Sequence, residues 1–259
     1  MIKNFSYSQL NTFTMCQKRY EFQYIERIKT PVSLDLIRGD AYHKAIAHAY
    51  TNIVIYKEKP GIDEVLDVYS DTWNKRLTDR IIIDEGEEIE IPAVDFKGKD
   101  PGKMKNEGSQ LVKIYYNTIM PRVFPAEVEV RKTAIYEGIP LVAYIDLIEW
   151  DGTVDEHKIK AKLFSEAELT KDLQSSVYGI ILNRDELKFN YHIALAVKEP
   201  YIKIVPVRRT REDMDWAGKL IVNAWRQIES GLFSPCISGW WCAPNQCQYW
   251  GYCRMPRDF

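Results

Sequence analysis

Two carboxylates and a lysine form the most reactive pattern in the sequence. Asp146 lies in an apolar run at 141–148, while Glu156 and Lys158 lie in a second run at 153–159, with Asp151 and Gly152 between them. Both runs are rich in apolar and β-branched residues and Asp-Gly is a turn signal, so they predict a hairpin. Side chains alternate between faces along a strand, which puts Glu156 and Lys158 together and leaves the position of Asp146 to the length of the loop. A loop of Asp151 and Gly152 alone would set Asp146 across from His157. A loop of Trp150, Asp151 and Gly152 pairs Glu149 with Thr153 and Asp146 with Glu156, and its last residue needs the left-handed conformation that glycine adopts freely. The second register assembles a site, and it is the one expected here. Facing carboxylates beside a lysine suit Mg2+ or Mn2+, which takes carboxylate oxygens and fills its remaining positions with water and phosphate oxygens. Such an ion lowers the pKa of bound water and stabilises charge developing on phosphorus, while the lysine aligns or deprotonates the attacking water. A solvated surface hairpin carries the same residue types, so the rest of the chain has to decide.

The elements that would position these groups follow from periodicity. Ser6 and Gln9 have the form of a capping box and open a helix to about residue 24 that bears Leu10, Phe13 and Cys16. A small-residue helix at 38–50 carries His43 and His48, whose spacing does not suit a zinc-protease pair. Helical spacing recurs at 62–77 and 108–120, separated by a charged, Gly- and Pro-rich stretch at 84–107 that reads as a mobile insertion. Strands at 127–136, 141–148 and 153–159 precede a helix at 166–182, on which Gln174 and Tyr178 share a face. Strands at 189–196 and 202–207 and a helix from Thr210 to about Gly231 complete an α/β pattern around a mixed sheet. The expectation is one domain over 1–259, with a mainly helical part at 1–126, a core at 127–209 and a helix with a tail at 210–259.

The chain of 259 residues, 46% hydrophobic and 28% charged, can bury a sizeable core. Its net charge of −2 requires that any nucleic acid be held by a focused groove rather than by overall attraction. No targeting segment or membrane-length apolar run is visible, so a cytoplasmic location is expected, with no membrane partner. Of five cysteines, Cys236, Cys242, Cys247 and Cys253 crowd the end of the chain. Thiols so clustered in a reducing compartment more often hold a metal than form disulfides. Cys242, Cys247 and Cys253 need a fourth partner, for which Cys236 and Cys16 are candidates, and either zinc or an iron-sulfur cluster accepts such a set.

Together these pieces resemble the RecB-like branch of the PD-(D/E)xK nucleases, including CRISPR-associated and phage-encoded exonucleases that carry an iron-sulfur cluster. The resemblance spans nearly the whole chain. Gly39 and His43 resemble the family's histidine motif, Asp146 and the Glu156-His157-Lys158 triplet its metal-binding aspartate and (D/E)xK element, and Gln174 and Tyr178 its helical Gln-xxx-Tyr motif. It implies a restriction-endonuclease-like α/β core, a mixed central sheet flanked by helices, with a helical N-terminal part and a Cys-rich iron-sulfur tail. Metal would be held by His43, Asp146, Glu156 and the backbone carbonyl of His157, whose ring faces away from Glu156. Lys158 would activate water, and Gln174 and Tyr178 would contact DNA. Cys16, Cys242, Cys247 and Cys253 would hold a 4Fe-4S cluster tying the chain ends together. The implied activity is Mg2+- or Mn2+-dependent DNA cleavage, as an exonuclease on single strands or duplex ends. A second reading is a catalytically weak DNA-end binding module beside a helicase or CRISPR adaptation proteins, and a third is a zinc-stabilised module. The sequence departs from the family pattern at Ala47, Gln17 and Ile159, and its C-terminal cysteines are more widely spaced.

Overall fold

The computed structural model describes residues 3–78, 81–84, 87–90 and 92–254. Ser6 forms the expected capping box with Gln9, so a short strand, β1 (Phe5–Ser6), turns directly into α1 (Tyr7–Met15). The expected continuation to residue 24 is broken at Cys16, which is extended with φ −165° and ψ 113°. The chain resumes as α2 (Gln17–Tyr20) and a π-helical turn, Glu21–Ile25. Apolar spacing persists across the kink, so periodicity alone cannot show it.

Then come α3 (Leu34–Tyr56), capped by Ser33, and α4 (Ile62–Thr78). Residues 85, 86 and 91 of the expected insertion lie outside the described residues, but its neighbours are ordered into elements. The strands β2 (Ile81–Asp84) and β3 (Glu87–Glu90) pair antiparallel, and α5 (Pro101–Thr118) begins well before residue 108. Asp100 explains the early start, because its carboxylate accepts the Lys103 N–H at 2.7 Å and Pro101 occupies the first turn, where a missing N–H costs nothing.

Strands β4 (Pro125–Tyr136), β5 (Ile139–Glu149) and β6 (Val154–Lys160) follow, then α6 (Glu166–Lys171) and α7 (Gln174–Ile181). The single helix expected at 166–182 is divided by Asp172, which is extended with ψ 121° and accepts bonds from the Gln174 N–H and the hydroxyls of Tyr7 and Tyr191. Buried Arg209 holds the break by donating to the Leu169 and Asp172 carbonyls. The chain ends with β7 (Leu187–Leu195), β8 (Tyr201–Arg209), α8 (Arg211–Ser230), closed by left-handed Gly231 at φ 69°, and α9 (Trp250–Arg254).

The main sheet has six strands, ordered β1-β5-β6-β7-β8, with β4 along the other edge of β5. It is mixed: β1 runs parallel to β5 and β6 parallel to β7, while the other pairs are antiparallel. Alternation sends neighbouring residues of β7 to opposite layers. Ile193 belongs to the core shared with Phe13, Val177 and Ile221 of α1, α7 and α8, and Ala194 to the core shared with Ala45, Tyr69 and Leu111 of α3, α4 and α5. Helices thus cover both faces of a mixed sheet, as the sequence implied. The ladder between β5 and β6 holds only at Leu147–Asp155 and Ile148–Val154. Beyond it β5 pairs with β1 while β6 keeps only its ladder to β7, and the sheet splits beside Asp146.

Candidate metal centre

The hairpin takes the register that assembles a site. Glu149 N–H donates to the Thr153 carbonyl at 2.8 Å and Gly152 N–H to the Glu149 carbonyl at 2.9 Å, with Gly152 at φ 85°. Leu147 pairs with Asp155, so Asp146, the next residue outward, lies opposite Glu156 where the ladder ends. Its carboxylate turns into the split and takes the bond that a strand partner would have supplied. Oδ2 accepts the His157 backbone N–H at 2.8 Å and stands 3.2 Å from His157 Nδ1 and 3.3 Å from His43 Nδ1, the latter brought in by α3. His43, Asp146 and His157 therefore offer ligand atoms within 4.8 Å of one another. The His157 ring, expected on the face opposite Glu156, contacts Tyr115 and His192 on the α5 side of the sheet, and it is the Asp146 carboxylate, beyond the end of the ladder, that reaches it.

On β6, Lys158 Nζ donates to Glu156 Oε1 at 2.5 Å, while Glu156 Oε2 is buried without a partner. A buried carboxylate oxygen left unpaired is costly, and a cation is the partner that such a site lacks. Burial raises the Glu156 pKa and the Asp146 carboxylate raises it further. Burial would also raise Asp146, but His43 and His157 outweigh it and hold that carboxyl well below its usual range. His43, which burial would lower, is raised by Asp146; Lys158, which burial would also lower, is raised by Glu156 and Asp146. The donor set is two carboxylates and imidazole nitrogen, which fits Mg2+ or Mn2+. Bound there, the ion would supply an activated water and charge stabilisation at phosphorus. Lys158, an ammonium in this state, is placed to hold an attacking water or a phosphate oxygen.

Gln174 and Tyr178 lie behind Glu156, only 3% and 5% exposed. Gln174 Nε2 donates to the Tyr178 hydroxyl at 3.1 Å, that hydroxyl donates to the Tyr144 carbonyl of β5 at 2.9 Å, and the Gln174 amide lies near enough to the Glu156 carboxylate to favour its charged form. The pair bridges β5 and β6 across the split.

Several neighbours of the centre were not singled out from the sequence. Glu129 sits opposite Asp146, between the Val128–Leu147 and Val130–Ile145 pairs, at φ 49°, and its carboxylate lies 3.8 Å from Lys44 Nζ. A non-glycine residue held left-handed within a strand is strain of the kind that gathers at functional sites. Tyr115 and His192 contact the far side of His157, and Asp155 lies beyond them, its pKa pushed up to about 8 by burial and then by Glu149. Helical and strand spacing marked these residues as core, and their polar atoms left no pattern to read.

The cysteines gather where the chain ends meet. Extended Cys16 accepts the Cys236 N–H at 3.3 Å, Gln17 bonds Gln227 and the Ser234 N–H, and Trp241 Nε1 donates to the Met15 carbonyl. A cavity of about 110 Å3 between these segments is lined by all five thiols with Phe22, Trp241 and Tyr249 among the residues around them. Burial raises the Cys253 thiol, and Cys16, Cys242 and Cys247 are near enough to raise it further. Cys236 differs: its thiol is lowered by bonds from the Ser238 and Gly239 N–H groups. Zinc at about 2.3 Å from each sulfur would need the sulfurs within roughly 4 Å of one another. Among the described residues no three thiols lie within 4.8 Å of one another; they stand around the cavity.

A mixed sheet between helical layers, with a split that presents two carboxylates, a lysine and a histidine, is an arrangement suited to a hard cation. The sequence matches the model of the PD-(D/E)XK nuclease superfamily over residues 4–254, and the chain belongs to that superfamily of metal-dependent nucleases. A crystal structure of a presumed exonuclease from Eubacterium rectale is similar, with a TM-score of 0.58 at 15% identity, covering 98% of this chain and 90% of that one. At that identity the likeness is one of fold. The structure of SSO0001 has a TM-score of 0.36 at 12% identity, covering 91% of this chain and 93% of that one. Among curated proteins none matches the sequence. No helix among the described residues is long and apolar enough to cross a membrane.

Proposed function

We propose that the protein is a RecB-like, Mg2+- or Mn2+-dependent deoxyribonuclease that degrades single-stranded DNA or duplex ends as an exonuclease. The observation that carries the reading is the buried, unpartnered Glu156 Oε2 beside Asp146 and Lys158. His43, Asp146, Glu156 and the His157 backbone carbonyl hold the ion, and Lys158 aligns the attacking water. The burial of Gln174 and Tyr178 supports bracing of Glu156 rather than a broad contact with DNA. The cavity among the tail thiols, and the influence of Cys16, Cys242 and Cys247 on Cys253, support a 4Fe-4S cluster on those four.

Digestion of 5′- and 3′-labelled single-stranded and duplex DNA with Mn2+ tests the activity. Wild type is expected to shorten one labelled end, and Lys158→Ala to lose about 100-fold, the usual contribution of a positioned acid-base group. Protein that is inert with its tail intact would overturn the nuclease reading in favour of DNA-end binding beside a helicase or CRISPR adaptation complex. Broad brown absorbance with iron and sulfide is expected of the tail, whereas a colourless protein with stoichiometric zinc would remove the cluster.

A further inference from the structure

Behind the carboxylates lies a second polar cluster, fully enclosed. The Tyr115 hydroxyl is 2.8 Å from His157 Nε2, 2.8 Å from His192 Nδ1 and 3.0 Å from the Tyr50 hydroxyl. Beyond it, His192 Nε2 lies 3.6 Å from Asp155 Oδ1, which accepts from Asn190 at 3.0 Å. Tyr50, Tyr115, His157, His192 and Asp155 are all buried. A phenol hydroxyl has one hydrogen to give and two lone pairs to fill, so three polar neighbours constrain one another.

With Tyr50 donating, counting hydrogens leaves two arrangements that satisfy the hub; with Tyr115 donating to Tyr50 instead, both imidazoles donate to it and His157 Nδ1 is bare. In one of the first two, Tyr115 donates to His157 Nε2 and accepts from His192 Nδ1; His157 then carries its hydrogen on Nδ1 and donates to Asp146. In the other, Tyr115 donates to His192 Nδ1 and accepts from His157 Nε2. His157 Nδ1 is then a bare lone pair, 3.2 Å from Asp146 Oδ2 and beside His43. Going from the first to the second, the Tyr115 hydrogen passes to His157 Nε2, the His192 Nδ1 hydrogen passes to Tyr115, and water takes the proton from His157 Nδ1 and returns one to His192 Nε2 when the cluster opens, so the proton count is kept.

We propose that Tyr115 is a positioning residue of the metal centre, whose hydroxyl accepts the His157 Nε2 hydrogen and so supports the tautomer in which the ring serves as a second imidazole ligand beside His43. The proposal rests on the metal-centre reading above. It gives the site a preference for ions that accept nitrogen, Mn2+ over Mg2+, since Mg2+ takes oxygen ligands.

The test is Mn2+ binding by full-length protein without DNA, followed by electron paramagnetic resonance with Mg2+ as competitor. Wild type is compared with Tyr115→Phe, His157→Ala, the double variant and Asp146→Ala. Wild-type Mn2+ is expected to show nitrogen couplings from two imidazoles. Tyr115→Phe and His157→Ala should each weaken Mn2+ by about 10-fold, the usual cost of losing an outer-sphere partner or more, and lower the Mn2+/Mg2+ preference. The double variant should be no worse than His157→Ala, because Tyr115 acts through that ring. Equal losses for both ions, or losses that add, overturn the proposal. Should Tyr115→Phe fail to fold, His192→Gln removes the nitrogen facing Tyr115 and carries the same expectation. If Asp146→Ala leaves wild-type binding unchanged, the metal-centre reading falls and this one with it. If Asp146→Ala abolishes binding while the other variants keep the wild-type preference, only the role of Tyr115 falls.

Discussion

The hairpin centre and the cysteine tail both gather candidate ligands from distant parts of the sequence, but they hold them differently. At the hairpin, β6 is laddered to β7 from Val154 to Lys160, and Glu156 and Lys158 ride on that frame whether or not an ion is present. Asp146 is fixed by the His157 N–H and Glu156 by Lys158. Around the tail cavity, Cys242 and Cys247 sit in turns with no strand to frame them, and Cys16 sits at a helix break. The ties are single bonds, such as Trp241 to Met15 and Tyr249 to the Ile28 carbonyl. Chemistry on a sheet can therefore be removed without unfolding it, whereas a ligand set carried by turns depends on what it binds.

That contrast is sharpest when one ligand is taken from each region. Asp146→Asn is expected to lower cleavage by about 100-fold or more, as for loss of a group that holds a catalytic ion. Its melting temperature should stay within about 4 °C of wild type, roughly 1 kcal/mol for a chain of this size. Cys247→Ser should do the reverse. Binding energy at such a site is folding energy, so a fall of roughly 10 °C or more in calorimetry is expected, with activity per folded molecule retained. A Cys247→Ser protein that melts with wild type would place the tail's stability in its aromatic packing.

Gln174→Ala makes a smaller break inside the hairpin region. Gln174 sits beside Glu156 and bonds the Tyr178 hydroxyl that anchors β5, so kcat should fall about 10-fold, as for lost outer-sphere partners, with KM for DNA unchanged. A rise in KM at constant kcat would make Gln174 a DNA contact instead.

What the sequence made legible follows the same division. The hairpin register could be worked out because a left-handed loop residue and the two-residue period of a strand leave few choices, and Gly152 occupies the position that decides them. The capping box at Ser6, the helix start at Thr210 and the stop at Gly231 were readable for a similar reason, since each is a local bond pattern. The breaks at Cys16 and Asp172 were not. Each interrupts a helix whose apolar spacing continues, and each is imposed by residues far along the chain, Ser234 and Cys236 at one and Arg209 and Tyr191 at the other. The buried partners of His157 were hidden in the same way. Tyr115 lies at a core position of α5 and His192 at one of β7, and only the packing of α5 against the sheet brings their polar atoms to the ring.

The pH dependence of metal binding separates the two regions most finely. Asp146 raises the His43 pKa above its usual 6.5 although burial opposes the shift. The ring must be neutral to bind an ion, so Mn2+ affinity at the hairpin should climb with pH from 6.5 up through the raised value, by up to about 10-fold per pH unit where His43 is still charged. Without metal the sign reverses: the ion pair with Asp146 stabilises the fold fully below 6.5, and that contribution is lost as pH rises through the raised value. His43→Ala should remove one proton from the slope of a Mn2+ titration followed by calorimetry across this range. The tail responds in a different place, since its thiols ligate only as thiolates and burial and neighbouring thiols push Cys253 upward. A proton slope that survives His43→Ala and disappears with Cys253→Ser would move the titrating ligand, and the Mn2+ it governs, from the sheet to the tail.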